Sequence, residues 1–186
     1  DDRPTVSIAD ATEDEGDTLV FDVTLTGAAD VAYDVDLTLA DGTALVADSD
    51  YTNTMVVTVV GGAANGTTLA FTGSTVTVPA DATSLTVSVD TTADAVFEGS
   101  ETITVTAQTG SMLAADSATG TIVDDGSDDG DDGDGSPDDD RPTVSIADAT
   151  EDEGDTLVFD VTLTGAADVA YDADFTLADG TALVAD

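Results

Sequence analysis

The chain contains no cysteine, no histidine, no lysine and no tryptophan, and its only cationic side chains are Arg3 and Arg141. Each gap removes a class of chemistry. Without thiols there are neither disulfides nor thiolate metal sites, so an extracellular protein would need another reinforcement. Without His or Lys, the many Ser and Thr hydroxyls lack a general base, and no enzyme is expected. Zinc and copper lose their preferred ligands. Phosphate backbones and anionic membrane surfaces are recognised through clustered Lys and Arg, so nucleic acid is excluded as a partner. Aromatic residues make up only 4% of the chain, which argues against a stacking platform for sugars. No apolar run approaches the roughly 18 residues of a membrane span. No membrane insertion is therefore expected in this segment, and no signal peptide opens what reads as an excerpt.

What is present is acid. Among 186 residues, 41 are Asp or Glu and the formal charge is −39, so the natural counter-ligands are cations. Yet 41% of the residues are apolar and they alternate along the chain, which predicts folding and not disorder.

Residues 1–48 recur as 139–186 with two differences, Val35 against Ala173 and Leu37 against Phe175. These positions are two apart and so share one strand face, where one side chain shrinks while its neighbour grows. A packed core tolerates such a swap, which predicts that this face is buried in both copies. The second copy holds only the first strands. Either a longer array continues beyond it, or another chain supplies strands in a fibre.

In TLVFDVTLTG, Leu19, Phe21, Val23 and Leu25 alternate with polar residues, and VAYDVDLTLADG repeats the pattern with Val35, Leu37 and Leu39. Further strands are expected at 5–8, 55–60, 67–71, 74–78, 84–89, 101–107 and 118–123, with 55–71 a hairpin around GGAANG. No segment has helical periodicity. Many short strands separated by Gly, Asn and Asp predict an all-β antiparallel sandwich. If consecutive strands run antiparallel, one pole collects Glu13, Asp14, Glu15, Asp48, Asp50, Asp90, Asp94, Glu98, Glu101, Asp124 and Asp125. Carboxylates crowded there repel by about 1 kcal/mol per pair at 4 Å in water and about 4 kcal/mol at an effective dielectric of 20. Calcium, taking about six to eight oxygen ligands at roughly 2.3–2.6 Å, reverses that energy, whereas magnesium demands an octahedron and keeps its waters.

The order VSIADATEDEG, DGTALVADSDY, STVTVPADATSLTVSV, DAVFEGSETITV and GTIVDD resembles a Calx-beta domain over about residues 4–125. That family is the calcium-binding sandwich of sodium/calcium exchangers and of tandem arrays in secreted bacterial adhesins. The resemblance implies an Ig-like topology and calcium ligands from the E-G pair, the D-Y pair, the D-x-x-x-E-x-x-E run and the closing D-D. Carried onto this chain, these are Glu15, Asp50, Asp94, Glu98, Glu101, Asp124 and Asp125, with Glu153 as the counterpart of Glu15 in the second copy. The chain departs from the pattern at TTAD, 91–94, where the family often has more acids, which predicts fewer ions. It also departs at 53–73, a long loop that leans toward adhesins.

The expected organisation is a Calx-beta-like sandwich over 1–125, an Asp/Gly-rich linker over 126–140 and the start of the next repeat over 141–186. The run DDGSDDGDDGDGSPDDDRP then divides: Asp124 and Asp125 belong to the ligand pole, while 126–138 lack the EF-hand spacing and form an extended spacer of up to about 45 Å. Each repeat is entered at one pole and left at the other, so repeats line up head to tail with neighbouring repeats as partners, and homopolymeric fibre contacts follow if strands are exchanged. The expected function is a calcium-stiffened extender of a secreted or cell-surface adhesin or fibre. Two rivals stand beside it: a halophile's acidic filament or surface-layer protein without specific calcium sites, and an adhesive module for sugar, ice or a host receptor, for which Thr102, Thr104 and Thr106 on an outer face offer a surface.

Overall fold

The computed structural model describes residues 4–27, 29–110, 112, 114–124 and 141–182. The chain begins with β1 (Thr5–Ile8), shifts sideways at Ala9 and Asp10, and continues as β2 (Ala11–Asp14). There follow β3 (Thr18–Thr26), β4 (Tyr33–Asp41), β5 (Val56–Val60), β6 (Thr68–Leu69), β7 (Phe71–Thr72), β8 (Thr75–Val78) and β9 (Ser84–Asp90). The short β10 (Val96–Phe97) precedes the two long strands β11 (Glu101–Thr109) and β12 (Asp116–Val123). No helix occurs among the described residues.

Two sheets face one another in a sandwich-like, all-β arrangement. One is ordered β1-β3-β9-β5-β6 and is antiparallel throughout; the other is ordered β2-β12-β11-β4-β8-β7 and is mixed, because β2 runs parallel to β12. The alternation read in the sequence decides which side chains fill the space between them. Leu19, Phe21 and Val23 from β3, Val35 and Leu37 from β4, Leu85, Val87 and Val89 from β9, and Ile103 and Val105 from β11 are all essentially inaccessible to water. Burying each such side chain contributes about 1.5–3 kcal/mol. Outward positions carry hydroxyls and acids that pair across strands, as Thr77 Oγ1 does in donating to Asp34 Oδ1 at 2.9 Å.

Three features depart from the expected layout. β2 has no apolar alternation and is held by pairing with β12, from Ala11 opposite Gly120 to Asp14 opposite Val123. The sheet switch that creates it is satisfied by side chains: Ile8 N–H donates to Asp116 Oδ2 at 3.0 Å, and Thr119 N–H donates to Asp10 Oδ1 at 2.7 Å. The expected strand at 67–71 also divides, since β6 completes a hairpin with β5 while β7 crosses to the other sheet beside β8. The third departure is in the second copy. Val35 and Leu37 are buried as expected, but Phe175 is 64% exposed, so the shared face is covered in the first copy alone. In residues 141–182, only β13 (Thr143–Ile146), β14 (Val161–Thr164) and β15 (Ala166–Ala167) form, and the strands that cover the equivalent face in the first copy have no counterpart there.

Gly120 on β12 leaves no room for a side chain beneath it. A Cβ on it would meet the Phe21 ring at 2.7 Å, Ile103 at 2.9 Å and Leu19 at 3.0 Å. All three are fully buried, so giving way would press them into other core side chains. Gly120→Ala is therefore expected to destabilise the sandwich by about 1–3 kcal/mol, read as a lower urea midpoint with unchanged slope. An unchanged midpoint would show that the gap between the sheets is looser than this packing.

Candidate metal centre

One pole of the sandwich gathers the ends of β2, β4, β9 and β12 and the starts of β3 and β11, as the registers Asp14 to Val123, Thr18 to Asp90, Ile103 to Asp41 and Glu101 to Ile122 require. Acids sit at these ends because the loops between strands are where charged side chains escape the core. Several are not exposed, however. Glu15 and Asp50 are each 8% accessible and Asp124 only 4%.

Glu15 is aimed by a tight turn. Asp17 N–H donates to Asp14 C=O at 3.1 Å, and Gly16 takes φ of 89°, the left-handed conformation that a type II turn requires at its third position. Glu15 N–H is tied to Val123 C=O at 3.0 Å, and Glu15 Oε1 accepts the Asp94 N–H at 2.8 Å. Asp94 in turn caps its own loop, accepting Val96 N–H at 2.7 Å. At the exit of β12, Asp124 Oδ2 accepts N–H groups from Glu98 at 2.5 Å and Gly99 at 3.3 Å. Its second oxygen, Oδ1, is buried and has no hydrogen-bond partner. A buried carboxylate oxygen left in this way costs about 1–3 kcal/mol or more unless something positive meets it.

A second locus adjoins the first. Asp50, Glu98 and Glu101 each bring one carboxylate oxygen to within 4.8 Å of the others. Oxygens bound to one ion at about 2.3–2.6 Å lie at most roughly twice that distance apart, so this span suits calcium. Asp50 is placed by the loop 42–51, which is pinned where Leu45 N–H donates to Asp50 Oδ2 at 2.7 Å and Tyr51 Oη donates to Asp41 Oδ1 at 2.6 Å. Burial and the neighbouring Asp41 push the Tyr51 phenol well above its ordinary range, so it stays a donor.

Electrostatics join the two loci. Burial pushes Glu15 up from 4.5 to about 8, and Asp124, Asp94 and Glu98 add to the rise against the opposing Asp94 N–H. Glu98 rises to about 7, first through burial and then through Asp50, Asp94, Asp168 and Asp124. Glu101 rises to about 7 through burial, through a hydrogen bond shared with Asp50, and through repulsion from Asp50, Glu98 and Asp48. Glu98 thus feels both groups and stands between them. The donor set is all oxygen, partly buried and mutually repulsive, which fits a hard divalent cation.

Of the residues singled out in the sequence, the structure brings carboxylate oxygens of Asp50, Glu98 and Glu101 within reach of one ion. Glu15, Asp94 and Asp124 lie beside them, tied to the same loop through backbone N–H groups, but form no second group of three or more converging ligands among the described residues. Asp125 lies outside the described residues. Glu153 is exposed and takes no part in a cluster of three or more metal-capable side chains among the described residues. Glu13 is exposed on the edge strand β2. Two contributors were missed: Asp41, whose signal was the D-Y pair that it anchors, and Asp168, which lies in the second copy and carries no local signal at all. No protein-family model matches this chain, and no curated protein matches it.

Proposed function

We propose that this chain is a calcium-binding structural repeat, an extender of a long secreted or cell-surface protein, with calcium held at the acidic pole. The observation that carries the reading is the buried, unpartnered Asp124 Oδ1, on a residue whose charge acts on both Glu15 and Glu98. The ligand set Asp50, Glu98 and Glu101 supports a second ion beside it. Glu15, Asp50, Asp94, Glu98, Glu101 and Asp124 are the proposed ligands, joined by Asp125 on the resemblance to Calx-beta domains. The same resemblance supports an Ig-like fold repeated head to tail, since β1 enters at one pole while β2 and β12 both run to the other. The reading is one of binding and not catalysis, because the chain has no His, Lys or Cys to activate or act as a nucleophile beside the acids.

A salt-loving acidic filament is the second reading, and the outward Asp22, Asp34 and Asp36 favour it as solvated surface. It leaves the buried acids unexplained. Calorimetric titration separates the two. The intact chain should take up calcium, and Asp124→Asn should weaken the uptake by roughly tenfold or more, because site affinity follows ligand charge, while circular dichroism stays that of the parent. Identical isotherms for parent and variant would remove the pole from the account.

A further inference from the structure

The acidic pole does not end with the first copy. β15, in the second copy, pairs in parallel with β10, Val96 opposite Ala166 and Phe97 opposite Ala167. The pairing is closed by Asp168 N–H donating to Phe97 C=O at 3.1 Å. Val169 follows, its Cγ2 lying 3.9 Å from where a Cβ on Gly99 would stand. Phe97, Glu98 and Gly99 are the stretch that also delivers two N–H groups to Asp124. The segment 166–169 therefore rests on the backbone that builds the candidate metal centre, and it adds the carboxylate of Asp168 to those acting on Glu98.

We infer that residues 166–169 form the docking face of the following repeat, and that Asp168 joins the acidic pole so that one calcium centre is shared across the junction. The inference rests on the calcium reading of the pole. Its occupant is committed: a second copy of this same sequence, entering by the loop between its third and fourth strands. The counterpart in the first copy is Ala28 to Val31; Asp30 and Asp168 are both exposed and neither belongs to the Asp50, Glu98 and Glu101 group, so what sets Asp168 apart is its backbone bond to Phe97 and its effect on Glu98.

Physical reasons favour an ion at this junction. The parallel ladder is only two residues long, far too short to hold two strongly acidic bodies together. Bringing Asp168 to Glu98 also adds a like charge to a pole that already repels itself. Asp124 Oδ1, buried without a partner, marks a position where a cation is called for. A divalent ion there converts the approach of Asp168 from a cost into a ligand bond, so docking and calcium uptake become one equilibrium.

The test uses the full chain, which has no native cysteine to interfere with labelling. Spin labels at Thr24→Cys and Ser145→Cys, both exposed positions on strands of the two copies, report the distance between them. A narrow distance distribution is expected in millimolar calcium and a broad one in chelator. Asp168→Asn should broaden the calcium distribution and weaken calcium affinity on the order of tenfold through loss of one charged ligand, whereas the control Asp30→Asn changes neither. If calorimetry detects no calcium uptake by the parent chain, the calcium reading of the pole fails and this inference with it. If calcium binds normally but the distribution is the same in chelator, or Asp168→Asn matches the parent in both measurements, the shared junction is overturned while the pole remains a calcium site.

Discussion

Removing calcium at constant ionic strength should lower the melting midpoint of this chain by roughly 10 °C. The size follows from linkage. An ion present at about 100 times its Kd stabilises the folded state by about 2.7 kcal/mol, because the unfolded chain no longer holds the ligands together. For a sandwich of this size each kcal/mol moves the midpoint by roughly 3–6 °C. The loss should be felt at Glu15, Asp50 and Asp124, the buried acids among the described residues, which lose the cation that offsets their burial. Differential scanning calorimetry in chelator and in millimolar calcium checks it. Molar sodium chloride should not restore the midpoint, since screening acts weakly on partly buried charges and supplies no ligand bonds. If sodium chloride does as well as calcium, or if chelation changes nothing, the acidic pole is solvated surface and the filament reading prevails.

The calcium-free protein should become more stable as the pH falls from about 8 toward 4.5, opposite to most proteins that acid denatures. Glu15 at about 8, Glu98 at about 7 and Glu101 at about 7 all lie above the ordinary 4.5. A carboxyl whose folded value is raised binds its proton more tightly in the folded state. Its stabilising share is fully present below 4.5 and is lost as the pH rises through 7 to 8. The three repel one another, and solvent screens the half-exposed Glu98 and Glu101, so the shifts do not add and the net gain is on the order of a few kcal/mol, most of it from buried Glu15. Calcium reverses the slope, because protons now compete with the ion for the same oxygens. Urea midpoints at pH 5 and pH 8.5, with calcium and with chelator, should therefore diverge at the higher pH and converge at the lower. Glu15→Gln should flatten the calcium-free curve, whereas Asp22→Asn on the exposed face of β3 should not. A calcium-free midpoint that rises with pH in the parent protein would contradict the crowding of these carboxyls.

Much of the sandwich was legible because a half-buried strand writes its two faces into the residue alternation. Leu19, Phe21 and Val23 could be assigned to the core from spacing alone, and so could Val35 and Leu37. β2 could not, for it has one inward residue, Ala11, and exists only because β12 offers an edge in parallel. The split of 67–72 between two sheets was equally hidden, since Leu69 and Phe71 satisfy the same alternation whichever sheet they join. The burial expected around Phe175 failed for a related reason. A strand face is covered only when its partner strands are present, and sequence similarity to a buried face does not supply them.

The candidate site divides in the same way. Charge, the absence of imidazole and thiol ligands, the near-identical repeat and most strand directions were determined by the sequence itself, because they are properties of residues and of their order. From these came the expectation of an acidic pole and an oxygen-only ion. Which acids are buried, which oxygens face each other and which oxygen is left over were decided by tertiary structure alone. Asp124 is indistinguishable from its aspartate neighbours as a letter, and becomes singular only when Glu98 and Gly99 take one of its oxygens and the fold closes over the other. Asp168, from the second copy, acts electrostatically on Glu98 of the first. Alternation tells a side chain which way to face, whereas packing decides whom it meets.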